Sequence, residues 1–122
     1  MTYDPDNAVE RKVPDAGTTV TAYIIDIQDG KIKDFVTKPE ALKKFDSPDA
    51  LAIYVTTEGK YEGRSYRCET LFSYAMVNNK IEYDARSNLA SFKKIYSALP
   101  KVGQEVKHIA NGNGYFKLLV KV

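Results

Sequence analysis

A single segment of this 122-residue chain has a strong helical pattern, and it lies between segments typical of β-strands. The segment is Ser87–Leu99, and Ser87 is a favourable N-cap whereas Pro100 ends the helix. Apolar side chains recur at helical spacing and mark one buried face: Leu89, Phe92, Ile95, Tyr96 and Leu99. The sequence therefore predicts a mainly β protein with one main helix.

The predicted strands are rich in β-branched and aromatic residues, or they alternate apolar with polar side chains. Three precede the helix and two follow it: Thr18–Ile27, Leu51–Thr57, Ser65–Met76, Val102–Ala110 and Tyr115–Val122. Ile81–Tyr83 is a candidate for a short further strand.

The region between the first two strands is less regular. Asp29-Gly30 predicts a hairpin turn, because glycine accepts positive φ. Lys31–Val36 would then form a return strand or a curled extension of the first strand. Pro39–Phe45 predicts a short helix with proline near its first turn.

Three strands, a helix and two strands follow one another in the OB-fold, a five-stranded, partly open Greek-key barrel. In this interpretation residues 28–50 form an enlarged loop between strands one and two. The alternative is an open α+β sheet in which Lys31–Val36 is a full member. We expect residues 1–14 to form an acidic extended tail and residues 15–122 to form one domain.

Cysteine usage and hydropathy bear on the location of the protein. The lone Cys68 excludes a disulfide within the chain and favours a reducing compartment. No apolar run reaches the length needed to span a bilayer, and the polar N-terminus lacks the pattern of a secretory signal. These features predict a cytoplasmic protein.

Catalytic chemistry has few candidates in this sequence. Cys68 and the single histidine, His108, could form a nucleophile pair. Their settings instead favour a small buried cysteine and a histidine on the surface or rim of a strand. No pair of carboxylates has a recognisable acid–base pattern. We therefore predict that the protein is not an enzyme and holds no cofactor or metal.

Charge and aromatic content point to a polyanionic partner. Residues 1–59 carry 7 basic and 11 acidic side chains, whereas residues 60–122 carry 11 basic and 5 acidic ones. The chain also has nine tyrosines. Aromatic rings stack on unpaired bases while cations follow the phosphates, so we predict binding of single-stranded nucleic acid. The candidate residues are Tyr54, Tyr61, Arg64, Tyr66, Arg67, Tyr74, Lys107, Tyr115 and Lys117.

Three stretches resemble segments of small phage- and archaeal-virus-type OB-fold proteins that bind single-stranded DNA. They are VPDAGTTVTAYIIDI, GKYEGRSYR and SNLASFKKIYSALPKVGQEVKHIANGNGYFKLLV. The resemblance implies an OB-fold and cytoplasmic binding of single-stranded DNA in replication or recombination, without a cofactor. Such proteins often carry an acidic C-terminal tail that recruits partners, whereas the acidic segment here is N-terminal. The resemblance therefore does not extend to the recruitment of replication enzymes.

The alternative function is a viral or archaeal protein-interaction or structural module of unknown partner. Exposed strands can pair edge to edge with another chain, either a different protein or a second copy in a homo-oligomer. In that case the aromatic side chains would lie mostly in the core or in the interface.

Overall fold

The computed structural model describes residues 2–8, 10 and 13–120. Its strands are β1 (Thr19–Lys31), β2 (Leu51–Tyr61), β3 (Arg64–Val77), β4 (Lys80–Glu82), β5 (Glu105–Ala110) and β6 (Phe116–Leu118). Its helices are α1 (Ile32–Phe35), α2 (Pro39–Leu42) and α3 (Asn88–Tyr96). The prediction of a mainly β protein with one main helix is confirmed. None of the helices in the described residues is long and apolar enough to cross a membrane.

All six strands belong to one antiparallel sheet in the order β4-β3-β2-β1-β5-β6. The three long strands β1, β2 and β3 form its centre, and β5 adds to the other side of β1. Within residues 13–120 no strand ladder joins β3 to β6. The sheet is therefore open, and a closed five-stranded barrel is not shown.

Helix α3 packs its apolar face against the inner face of the sheet. The rings of Phe92 and Phe72 meet edge-on with their centroids 5.7 Å apart. The helix begins where Ser87 Oγ accepts a hydrogen bond from the Ala90 N–H at 3.2 Å. At its other end, the Tyr96 hydroxyl donates to the Leu119 carbonyl at 2.5 Å. The core that results comprises Ala22, Ile24, Val55, Phe72, Leu89, Phe92, Val106 and Leu118.

The predicted turn at Asp29-Gly30 is wrong, because β1 continues through both residues and Gly30 pairs with Ala52 of β2. Lys31–Val36 is not a strand, since α1 begins at Ile32. The glycine has a different use. A Cβ at position 30 would lie 2.9 Å from Asp34 Oδ2 and 3.0 Å from the Phe35 ring. Glycine therefore allows α1 to fold back closely on the end of β1.

Other boundaries differ modestly from those predicted. Strand β2 continues beyond Thr57 to Tyr61, and β5 begins at Glu105 rather than at Val102. Strand β6 is confined to Phe116–Leu118. Positions 121 and 122 of the predicted last strand lie outside the described residues. In the predicted extended tail, Pro5–Asn7 form a 3-10 turn, and positions 1, 9, 11 and 12 are likewise outside the description.

Candidate nucleic-acid interface

The two strands on either side of the sheet opening approach each other closely. We call the space between Arg67–Thr70 of β3 and Phe116–Leu118 of β6 the seam. Across it, the Cys68 thiol donates to the Phe116 carbonyl, with 3.2 Å between sulfur and oxygen. An open crevice of about 370 Å³ lies there, lined by Arg67, Cys68, Glu69, Thr70, Phe116, Lys117 and Leu118. The seam is therefore accessible from the surface.

Three aromatic rings cluster at one end of the seam. Phe116 lies 4.8 Å from the ring of Tyr66 and 5.7 Å from that of Tyr61, measured between centroids. Tyr61 pairs with Arg64 at the end of the β2–β3 ladder, so this hairpin places the arginine beside the cluster. Tyr115 is the residue before Phe116, and 71% of it is exposed. The sequence predicted each of these residues as a ligand contact except Phe116.

Two basic side chains lie on the outer surface of β5 and β6. In β5 and β6, Lys107 and Lys117 are exposed whereas their neighbours His108 and Leu118 are buried, so the lysines lie on the face away from the core. Within the described ranges, neither lysine nor Arg64 is within 4.0 Å of a carboxylate. These three cations are available for an anionic ligand.

Arg67 differs from those cations because it is already paired. Its Nε lies 3.0 Å from a carboxylate oxygen of Glu58 on β2. The arginine side chain remains 68% exposed, so this pair contributes little to stability, about 0–1 kcal/mol. A phosphate reaching the seam would compete with Glu58 for the guanidinium.

Tyr54 is held by internal contacts. Its ring stacks on Phe35 of α1, with centroids 5.2 Å apart and the planes 8° from parallel. Its hydroxyl donates to the Glu69 carboxylate at 2.5 Å, and this hydrogen bond is the main reason that the pKa of Tyr54 is raised. One face of the ring and the hydroxyl are therefore occupied.

Tyr74 is also separate from the seam. It packs against the hydrophobic core, and its hydroxyl lies 3.5 Å from Asp29 Oδ1 near the opposite end of β3. Burial is the main cause of its raised pKa. The structure thus brings Tyr61 and Tyr66 together at Phe116, with Arg64 opposite Tyr61 and Tyr115 next in the chain to Phe116. Arg67 and Lys117 line the seam, whereas Lys107 lies on β5 and Tyr54 and Tyr74 lie elsewhere.

Sequence reasoning missed two further residues that face solvent on the central strands. Tyr23 of β1 is 50% exposed, and its hydroxyl lies 3.4 Å from Glu105. It lines an open crevice together with Lys60 of β2. The alternation of Tyr23 with the buried Ala22 and Ile24 is a signal that could have identified it.

The prediction that His108 lies on a strand surface or rim is wrong, because the residue is fully buried. It shares the core face of β5 with the buried Val106 and Ala110. Thr57 lies within hydrogen-bonding distance of its ring. The prediction that Cys68 is a small buried residue is confirmed. Its sulfur lies 3.7 Å from His108 Nδ1.

The electrostatics of this contact oppose a thiolate–imidazolium pair. Burial raises the pKa of the Cys68 thiol to about 11 and lowers the pKa of His108. At neutral pH both groups are therefore uncharged. Within the part of the chain that the structure describes, no group of three or more histidine, cysteine or acidic side chains could hold a metal ion.

Comparisons with known proteins returned no matching family model, no matching curated protein and no matching solved structure.

Proposed function

We propose that this protein binds single-stranded nucleic acid, with DNA favoured, along the seam between β3 and β6, and that it does so without catalysing a reaction. The observation that carries the proposal is the ring cluster of Tyr61, Tyr66 and Phe116, which lies beside exposed Tyr115 and Arg64, an arginine with no carboxylate partner among the described residues. Single strands require this combination of flat rings for bases and cations for phosphates.

The rings have different roles in this proposal. Tyr115 offers most of its surface to solvent, so an unpaired base can stack on it, and each such stack contributes about 1–3 kcal/mol. Tyr61, Tyr66 and Phe116 are half-buried and pack at Phe116, so in this proposal they support the surface beside Tyr115.

The cations extend the surface along the strands. Arg64 at the β2–β3 turn, Lys117 on β6 and Lys107 on β5 would contact successive phosphates of the bound strand. Lys107 and Lys117 lie on adjacent paired strands and on the same face, which forms a basic row beside the seam. Phosphate contacts of this kind make the affinity strongly dependent on salt.

We further propose that the sheet is a partly open OB-like barrel in which β3 and β6 correspond to the third and fifth strands. Two observations support this. Helix α3 lies between β3 and β5 in the chain, which is the place where an OB-fold has its helix. The Cys68–Phe116 contact brings the open sides of the sheet within hydrogen-bonding distance. The residues between β1 and β2, with α1 and α2, form the enlarged first loop.

The absence of catalysis follows in this proposal from the state of the most reactive side chains. A thiol nucleophile acts as the thiolate, and burial keeps Cys68 protonated. His108 is fully buried and already bonded to Thr57, so it is not placed to take a proton from a substrate. Binding through stacking and phosphate contacts needs neither group.

The proposal can be tested by fluorescence anisotropy with a labelled oligo-dT strand at a low and a moderate salt concentration. We expect binding at low salt that weakens steeply as salt is added. Tyr115→Ala should weaken binding about fivefold or more, from the loss of one stack. Arg64→Ala should weaken it and also reduce its dependence on salt.

Matched variants separate a specific surface from general charge and aromatic content. Tyr3→Ala removes another highly exposed tyrosine, and Lys94→Ala removes an exposed lysine on α3. Neither change should alter the affinity. The proposal fails if the protein does not bind at low salt, or if the control variants weaken binding as much as Tyr115→Ala and Arg64→Ala do.

A further inference from the structure

The β3–β4 hairpin forms one edge of the sheet and carries exposed apolar side chains. Strand β4 pairs only with β3 in the described chain, so its other side is a free edge. Met76, Val77 and Ile81 are each between 43% and 49% exposed. A free edge beside apolar side chains is a surface on which another strand can pair.

The turn of this hairpin determines which backbone groups face the free edge. Asn78 and Asn79 have φ angles of 52° and 62°, as in the two-residue type I′ turn. The flanking pair, Val77 and Lys80, therefore exchanges backbone hydrogen bonds, and the next pair, Met76 and Ile81, does not. The N–H and C=O groups of Ile81 consequently point away from β3, toward the free edge.

We propose that this edge binds a second copy of the chain, with the two β4 strands antiparallel about a two-fold axis at Ile81. The sequence Lys80-Ile81-Glu82 is complementary to itself in that arrangement. Ile81 lies opposite the partner's Ile81 and exchanges two backbone hydrogen bonds with it. Lys80 lies opposite the partner's Glu82, and the same ion pair repeats across the axis.

The side-chain faces agree with this pairing. Residues directly opposite in antiparallel strands share a face, and Met76 is opposite Ile81 within the hairpin. One face of the joined sheet would thus carry a continuous apolar row of Met76, Ile81, the partner's Ile81 and the partner's Met76. The other face would carry the two ion pairs. This contact packs Ile81 against the partner's Ile81 and forms a closed dimer, because it uses the free edge of both β4 strands.

Sedimentation velocity without nucleic acid tests the proposal independently of ligand binding. The contact is small, so we expect a reversible dimer with a Kd on the order of 10–100 µM. Lys80→Glu and Glu82→Lys each place like charges opposite one another twice, and each should weaken the dimer about tenfold or more. The double variant restores opposite charges and should restore the dimer. A mixture of the two single variants should form a heterodimer.

A backbone variant adds a second, charge-independent test. Ile81→Pro removes an N–H that points to the partner and not to β3, so the monomer should keep its thermal stability while the dimer is lost. Ile81→Val keeps the N–H and should dimerise. A wild-type protein that stays monomeric up to millimolar concentration overturns the proposal. So does a dimer that survives Lys80→Glu, or a charge-reversed double variant that stays monomeric.

Discussion

Thr57 Oγ1 and His108 Nε2 lie 2.6 Å apart, although they belong to β2 and β5, which are separated in the sheet by β1. Both residues are fully buried. The Thr57 hydroxyl also lies 3.3 Å from the Cys68 carbonyl, which it can reach as a donor. These contacts tie β2, β3 and β5 together across the core.

Thr57→Val should destabilise the protein, because valine keeps the shape of threonine but leaves the buried His108 Nε2 without its hydrogen-bond partner. Burying an unpaired polar group costs about 1–3 kcal/mol in the free energy of unfolding. Denaturant unfolding monitored by circular dichroism measures the loss. Thr56→Val is the matched control, since Thr56 is only half-buried and makes no such bond to His108. Equal stability of the two variants would contradict the role assigned to Thr57.

Stability should fall as the pH drops below 6.5. Burial lowers the pKa of His108 in the folded protein, so the unfolded chain binds more protons once the pH passes below the unfolded value. The contribution of neutral His108 is thus present above pH 6.5 and is lost toward the lower, folded pKa. His108 is the only histidine, so a comparison of Tm at pH 7.5, 6.5 and 5.5 addresses this residue directly.

A His108→Gln variant provides the control for that pH dependence. It should be less stable than the wild type at pH 7.5, and its Tm should change less between pH 7.5 and 5.5. If the variant and the wild type lose stability in parallel over this range, the dependence arises from other groups.

The sequence predicts the order of elements well and their packing poorly. Helix α3 was predictable because its cap at Ser87 and its apolar spacing are local signals. The continuation of β1 through Gly30 was not predictable, because the Asp29-Gly30 pair is typical of a hairpin turn. Glycine is needed at position 30 because Asp34 and Phe35 of α1 approach it closely, and this approach has no local signal in the sequence. Likewise, the burial of His108 depends on a partner, Thr57, that is distant in the sequence.

The candidate site shows the same division between local and distant information. Tyr61 and Tyr66 flank a recognisable hairpin turn, so their closeness to each other was predictable. Their contact with Phe116 arises only because the sheet curves enough to bring β6 beside β3. Tyr54 was predicted to face a ligand, but the short helix α1 places Phe35 on its ring. No local pattern in residues 31–36 indicates that helix.

Cys68 should react slowly in the native protein and quickly after unfolding. Burial raises the pKa of its thiol from 9.0 to about 11, which lowers the thiolate fraction at pH 8 by about 100-fold. Alkylation with iodoacetamide, followed by mass spectrometry with and without urea, measures the ratio of rates. Rapid labelling without urea would show that the seam opens in solution and exposes the thiol.

The same pKa shift has a consequence for stability at high pH. A raised pKa in the folded state stabilises the protein below the unfolded value of 9.0, and this contribution is lost as the pH rises toward 11. The wild type should therefore lose more stability than Cys68→Ala between pH 9 and 11. Tyrosine ionisation affects both proteins alike, so the difference between them isolates Cys68.

Gly59→Ala should disturb the buried network around His108 directly. A Cβ at Gly59 would lie 3.1 Å from His108 Nδ1, 3.1 Å from the Thr21 carbonyl and 3.2 Å from Ala22 Cβ. The first of these contacts would displace the imidazole ring, and the others involve buried or backbone atoms that cannot move freely. We expect a loss of about 1–3 kcal/mol in the free energy of unfolding, as for other overpacked cores.

Gly63→Ala separates this crowding from the general effect of replacing glycine. Gly63 has a φ of 75° in the β2–β3 turn, but a Cβ there would meet nothing within 4 Å. Its cost should be close to 1 kcal/mol and come from backbone strain alone. The imidazole resonances of His108 in NMR spectra distinguish the two variants, because only Gly59→Ala should shift them. Unshifted resonances in Gly59→Ala would mean that the ring and β2 are packed less tightly than the 3.1 Å contact requires.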